Sequence, residues 1–77
     1  MDKKEKIIIT FFTTSDAMYM EEVCMQKKVN GRIIPVPKKI SSSCGMAYCI
    51  DVCMESEILK IIAEEKIRIE GIYYEWI

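Results

Sequence analysis

Ile7-Ile8-Ile9-Thr10-Phe11-Phe12 is a β-branched and aromatic run with no polar alternation. Side chains of this kind favour extended backbone, and a run that is apolar at successive positions predicts a strand buried on both faces, hence central in a sheet. Directly after it, Thr13-Thr14-Ser15-Asp16 offers helix N-cap residues. From Asp16 to about Val29 the period becomes helical. Ala17, Met20, Val23 and Cys24 share one face, while Glu21, Glu22, Gln26 and Lys28 lie mostly elsewhere. Asn30-Gly31 is the expected stop, with Gly31 as the residue able to take a left-handed conformation.

Beyond the stop, Arg32 to Val36 reads as a short strand. Pro35 and Pro37 lack ladder donors, which confines it to an edge. Lys38 to Ser43 is a polar loop. Gly45 to about Val52 alternates, with Met46, Tyr48, Ile50 and Val52 on one side and Ala47, Cys49 and Asp51 on the other, the pattern of a half-buried strand. Glu55 to about Lys66 is a second amphipathic helix with Ile58, Leu59, Ile62 and Ala63 inward. Ile67 to Ile77 completes the set as a strand whose apolar phase slips at Gly71, where a bulge is expected.

The order strand–helix–strand–strand–helix–strand makes residues 1–77 a single α+β domain of the ferredoxin-like βαββαβ kind, a four-stranded antiparallel sheet with both helices on one face. The other face has no helix to cover it, and a second copy of the chain is its expected cover, giving a homodimer through the open sheet face.

At 77 residues such a domain has no room for a deep, enclosed active site, so chemistry belongs at its surface or against a partner. The net charge of −1 argues against non-specific nucleic-acid or anionic-membrane binding, although lysines cluster at Lys3, Lys4 and Lys6, at Lys27 and Lys28, and at Lys38 and Lys39. No apolar run approaches the ~20 residues that span a bilayer, and Ile7–Phe12 is too short for a signal-peptide core, so the expected location is cytoplasmic. There are four cysteines and no histidine. Serine–histidine and cysteine–histidine hydrolase chemistry within the chain is thereby excluded.

Cys24 lies on the inward face of the first helix, where a free cysteine acts as a small hydrophobe. Cys49 and Cys53, four apart on extended chain, would sit roughly 13 Å apart, too far for a disulfide. Cys49 shares a side with Asp51 and is expected to face the open side of the sheet. No Cys-x-x-Cys knuckle or histidine exists to complete a zinc or iron–sulfur set, and no metal or other cofactor is expected. Cys44 has a different setting. It follows Ser41-Ser42-Ser43, precedes Gly45 and stands where a strand begins. Backbone N–H groups around Ser42, Ser43 and Gly45 can cradle an anion, and Lys38 and Lys39 can favour a thiolate. Local chemistry leaves two readings open, a reactive thiol or a side chain tucked under the loop.

Taken together, Thr10-Phe11-Phe12-Thr13-Thr14, Ala17-Met18, Glu21 or Glu22, Ile34-Pro35-Val36-Pro37-Lys38 and Ile40-Ser41-Ser42-Ser43-Cys44-Gly45 make a pattern that resembles the selenium/sulfur carrier protein-like family of small bacterial domains. The resemblance runs from about Ile7 to Tyr74, and the Pro-Val-Pro…Ser-Cys-Gly loop is its most specific part. It implies that Cys44 accepts sulfur or selenium as a persulfide or selenopersulfide from a cysteine desulfurase-type donor and passes it to an acceptor enzyme, making the chain a carrier rather than a stand-alone enzyme. The alternative reading is a non-catalytic regulatory module whose Lys38–Gly45 loop binds a small anion or a partner protein. A thiolate metal-transfer protein is a third.

Overall fold

The structure, a computed structural model, describes residues 4–77. Met1, Asp2 and Lys3, the last being the first lysine of the N-terminal cluster, lie outside the described residues. Six regular elements follow one another: β1 (Glu5–Thr10), α1 (Thr14–Gln26), β2 (Arg32–Pro35), β3 (Met46–Asp51), α2 (Glu55–Glu64) and β4 (Gly71–Trp76), with a 3-10 turn at Val52–Met54 leading into α2. The strands form one antiparallel sheet in the order β2-β3-β1-β4. This is the ferredoxin-like arrangement expected from the sequence.

β1 is central, and Ile7, Ile8, Ile9 and Thr10 are all buried. Ile7 and Ile9 join Phe11, Tyr48 and Ile50 beneath the helices, where Ala17, Met20, Val23 and Cys24 of α1 meet Ile58 and Ile61 of α2. The α1 face matches the expected one residue for residue. The α2 face is shifted. Ile58 and Ile61 are buried and Ile62 packs beside them, whereas Leu59 and Ala63 are exposed. The sequence offers a nearly continuous apolar stretch from Ile58 to Ala63, which permits more than one inward stripe.

The second sheet face carries its own small core. Ile8, Ala47 and Cys49 are covered by Ile40, with Ile34 and Val36 packed alongside. The Ile40 N–H donates to the Pro37 carbonyl at 2.9 Å, closing a turn with Lys38 and Lys39 at its exposed tip and delivering Ile40 onto Ile8. The connection from β2 to β3 is thus more than a polar loop. It is a flap over half of the face that has no helix. Two expectations change with it: β3 is buried on both sides over Ala47–Ile50, and Cys49, although on the non-helical face, is shielded.

Both helices end alike. Lys28 and Lys66 adopt left-handed backbone (φ 60° and 52°). The next residues, Val29 and Ile67, are buried and donate their N–H groups back to Cys24 and Ile62. This is the Schellman arrangement, a six-to-one bond accompanied by an apolar contact. Gly31 is therefore not the left-handed stop. It is small for another reason: a Cβ there would lie 2.5 Å from the Tyr48 ring.

The phase slip at Gly71 marks the entrance of β4, where Glu70 and Gly71 both stand opposite Thr10, the two-against-one count of a bulge. Pairing with β1 holds register from Gly71 to Trp76, and only the Glu70 N–H, one residue out of phase, donates to the Thr10 carbonyl at 2.7 Å. Ile67 to Glu70 lie outside the strand.

A left-handed conformation costs a side-chain-bearing residue roughly 1 kcal/mol or more, partly offset by the greater flexibility of glycine in the unfolded chain. Lys28→Gly and Lys66→Gly are each expected to raise stability by about 0.5–1 kcal/mol, read as a higher urea midpoint. A fall in the midpoint would show that the lysine side chains contribute more than their backbone costs.

Candidate functional site

Cys44 sits where the central ladder opens. The Val36 N–H donates to the Gly45 carbonyl at 3.1 Å. By the alternation of antiparallel pairing, the next pair inward, Pro35–Met46, exchanges no hydrogen bonds, so the missing N–H of Pro35 points to the free edge and costs the sheet nothing. The same alternation turns the N–H and C=O of Met46 towards β1, where the register would pair it with Phe11. The β1–β3 ladder ends one step earlier, at Thr10–Ala47.

Two side chains of the loop fill the unmade rung. Ser42 Oγ donates to the Phe11 carbonyl at 3.4 Å. Cys44 Sγ receives the Met46 N–H at 3.4 Å and lies 3.3 Å from the Met46 carbonyl, to which the thiol can donate. Both backbone groups of Met46 thereby find a partner in one sulfur atom, in keeping with the rule that buried or half-buried peptide groups are satisfied. Cys44 is half-buried and packs against the main core. Gly45, with φ +75°, makes this geometry. A Cβ at Gly45 would meet nothing within 4 Å, so glycine is needed for its backbone freedom and not for space.

A residue that sequence reasoning missed holds the loop from the other side. Glu70 accepts the Ser43 N–H on Oε1 (3.0 Å) and the Ser43 hydroxyl on Oε2 (2.8 Å). These bonds, the backbone donor first, hold its carboxyl below the usual carboxylate range. The only sign of it in the sequence is an acid placed at the break in an apolar pattern, Ile67 and Ile69 before it, Gly71 and Ile72 after it. Nearby, Arg68 bonds Asp16 in the first turn of α1 through Nε (3.2 Å) and lies over the Phe12 ring at 5.4 Å, tying the start of α1 to the approach to β4. Lys38 and Lys39 project from the exposed turn and form no ion pair among the described residues. Of the expected site residues, the structure brings Ser42, Ser43, Cys44 and Gly45 into one hydrogen-bonded feature and leaves the two lysines exposed on the Pro37–Ile40 turn.

The other cysteines are set apart. All four are free. Burial raises the pKa of Cys24, against a smaller lowering by its bond with Tyr48, and burial likewise raises that of Cys49, against Lys6 and then Arg32. Cys53 is exposed in the turn after β3, separated from Cys44 by the length of a six-residue strand, roughly 20 Å. No group of three or more metal-ligating side chains converges among the described residues, and no helix among them is long and apolar enough to cross a membrane.

Residues 6–74 match the model of the family described as "Putative Se/S carrier protein-like". The chain belongs to this family. The match runs from within β1 to within β4 and takes in the whole Ser42–Gly45 feature. No curated protein matches the chain.

Two outcomes follow from the loop. Gly45→Ala should cost about 1 kcal/mol through its φ alone, measured by denaturant unfolding, and Gly45→Asn should cost less. Glu70 ties Ser43 only as a carboxylate. Because its folded pKa is lowered, that tie is complete above the unfolded value of about 4.3 and is lost as pH falls through the folded value. The Ser43 amide resonance is expected to titrate with Glu70 below about pH 4.3, and a Ser43 amide unmoved by acid, or by Glu70→Gln at neutral pH, would rule the tie out.

Proposed function

We propose that this chain carries a sulfur or selenium atom on Cys44 as a persulfide or selenopersulfide, receiving it from a cysteine desulfurase-type donor and delivering it to an acceptor enzyme. The observation that carries the proposal is the sulfur at the end of the central ladder, on a half-buried residue at a loop–strand junction, with the Met46 N–H directed at it. Membership of the carrier-like family supports the same assignment.

The chemistry is exchange at sulfur. The Cys44 thiolate attacks the outer sulfur of a donor persulfide, R–S–SH. A new S–S bond forms to Cys44, the old S–S bond breaks, and R–S⁻ leaves with the bonding pair, so Cys44–S–SH is made with no external oxidant. Delivery to an acceptor thiolate is the same step with Cys44 as the leaving group. Such exchange needs a thiolate and access but no general base, which suits a chain without histidine. The Met46 N–H directed at the sulfur gives it a fixed position at the loop–strand junction.

The alternative of an anion-binding module has one observation against it. The donors of Ser43, which would hold a ligand carboxylate, are already taken by the carboxylate of Glu70.

The test is intact-mass measurement after incubation with a cysteine desulfurase, pyridoxal phosphate and cysteine, under non-reducing conditions. The expected result is gain of one sulfur atom in the wild type and in Cys53→Ala, and none in Cys44→Ala. Loading that persists in Cys44→Ala and disappears in Cys53→Ala would move the carrier site to the turn after β3. No loading of any variant by a desulfurase that charges a known carrier in parallel would overturn the proposal.

A further inference from the structure

The two edges of the sheet are built differently. On β2, the residues whose backbone faces outward are Ile33 and Pro35. The strand has four residues, begins with Arg32, is followed after Val36 by Pro37, and Pro35 has no N–H to give. These are the devices that blunt an edge. β4 is longer, at six residues, and contains no proline, and the backbone of its one charged residue, Glu75, is turned to β1. Lys4 and Ile77 exchange both backbone hydrogen bonds (3.4 and 3.1 Å), which fixes the phase of the β1–β4 ladder. Gly71, Tyr73 and Glu75 therefore bond to β1, and Ile72, Tyr74 and Trp76 direct their N–H and C=O groups outward. Their side chains lie on the helical face, opposite Ile9, Ile7 and Glu5 of β1. Tyr74 is 44% exposed and Trp76 63%, with Leu59 of α2 exposed on the same side of the sheet. An unprotected edge and exposed aromatic side chains coincide on one strand.

We infer that β4 pairs antiparallel with β4 of a second copy of the chain, joining two sheets edge to edge about a two-fold axis through Tyr74. Pairing geometry selects this register. For the helical faces of both copies to remain on one side, the axis must pass through a residue and not between residues. An axis through Tyr74 brings all three outward-facing residues of the strand together, whereas an axis through Tyr73 bonds only Ile72 with Tyr74 within the strand. Centring on Tyr74 makes Ile72–Trp76, Tyr74–Tyr74 and Trp76–Ile72 pairs, each exchanging two hydrogen bonds, and consumes every free backbone group of the strand. It also lays each Trp76 beside Ile72 of the other copy and sets Glu75 opposite Tyr73, so no like charges oppose. A centre at Ile72 or Trp76 runs half the pairing off the end of the strand, and a centre at Tyr73 makes a non-bonded pair there and leaves Trp76 opposite Glu70. The self-complementarity of Gly71–Trp76 is what assigns the partner as a second copy. The contact is confined to one short strand and its flanking side chains, so the dimer is expected to be concentration-dependent. It leaves Cys44 and the Ile40 flap unoccupied, and it does not depend on the carrier proposal.

The axis residue supplies the test. Sedimentation velocity of the wild type over a concentration series is expected to show monomer passing to dimer, with the emission of Trp76, the chain's one tryptophan, shifting to the blue over the same range. Tyr74→Lys places a cation against its own copy and is expected to be monomeric with no shift, as is Tyr74→Glu; a mixture of the two is expected to recover the dimer. Circular dichroism of each variant guards against loss of fold, and Tyr74→Ser, uncharged, keeps the edge testable if either charged variant unfolds. A wild type that stays monomeric throughout, or a dimer that survives Tyr74→Lys (association through the Ile40-covered face, for example), would overturn the inference.

Discussion

Ile8 is the residue around which the rest of the molecule is arranged. It stands in the middle of the central strand, on the face that no helix covers, and it is fully buried. Full burial of such a side chain contributes about 1.5–3 kcal/mol, but only if something closes over it. The chain between β2 and β3 does so by turning at Pro37–Ile40 and setting Ile40 down against Ile8, Ala47 and Cys49. That route fixes where the chain can re-enter the sheet. It must return from above the second face to the top of β3, and Ser41 to Gly45 are the residues that make the return.

The re-entry explains why serine and cysteine occur where they do. A loop that crosses the end of the central ladder prevents Phe11 and Met46 from pairing and leaves their peptide groups without partners. Ser42 satisfies one carbonyl and Cys44 both groups of Met46, while Glu70 fastens Ser43 between them. The sulfur is therefore a structural participant in its own right. This bears on the carrier reading, because any partner that draws Cys44 out must replace what it gives to Met46.

Much of the fold was legible because burial follows period. The unbroken Ile7–Thr10 run announced a strand covered twice, and the spacing Ala17, Met20, Val23, Cys24 gave the α1 face in full. Legibility failed where two answers had the same period or where a distant residue decided. In α2, Ile58, Leu59, Ile61 and Ile62 permit more than one apolar stripe, and Ile58 and Ile61 are the pair that is buried. Gly31 resembled a helix stop, yet Lys28 takes the left-handed position and Gly31 makes way for Tyr48, 17 positions later in the chain. At the site, Cys44 and Gly45 stood out through local chemistry. Glu70 did not, since its bond to Ser43 spans 27 positions and its one local sign, an acid at a break in an apolar pattern, names no partner.

The order of the strands has a consequence for how the protein is made. β1 is synthesised before the other strands, yet its two neighbours are β3 and β4, so Ile7 finds Ile50 and Tyr74 only when those residues have left the ribosome. Contacts so distant in sequence slow folding, because loops must close before burial rewards them. Until Met46–Asp51 emerges, the nascent chain holds Ile7-Ile8-Ile9 with only α1 to shelter it, and on both sides it is an unpaired β-strand of the kind that draws other chains. The feature that makes the finished sheet secure is the one that leaves it most exposed to aggregation and chaperone capture during the seconds before it closes.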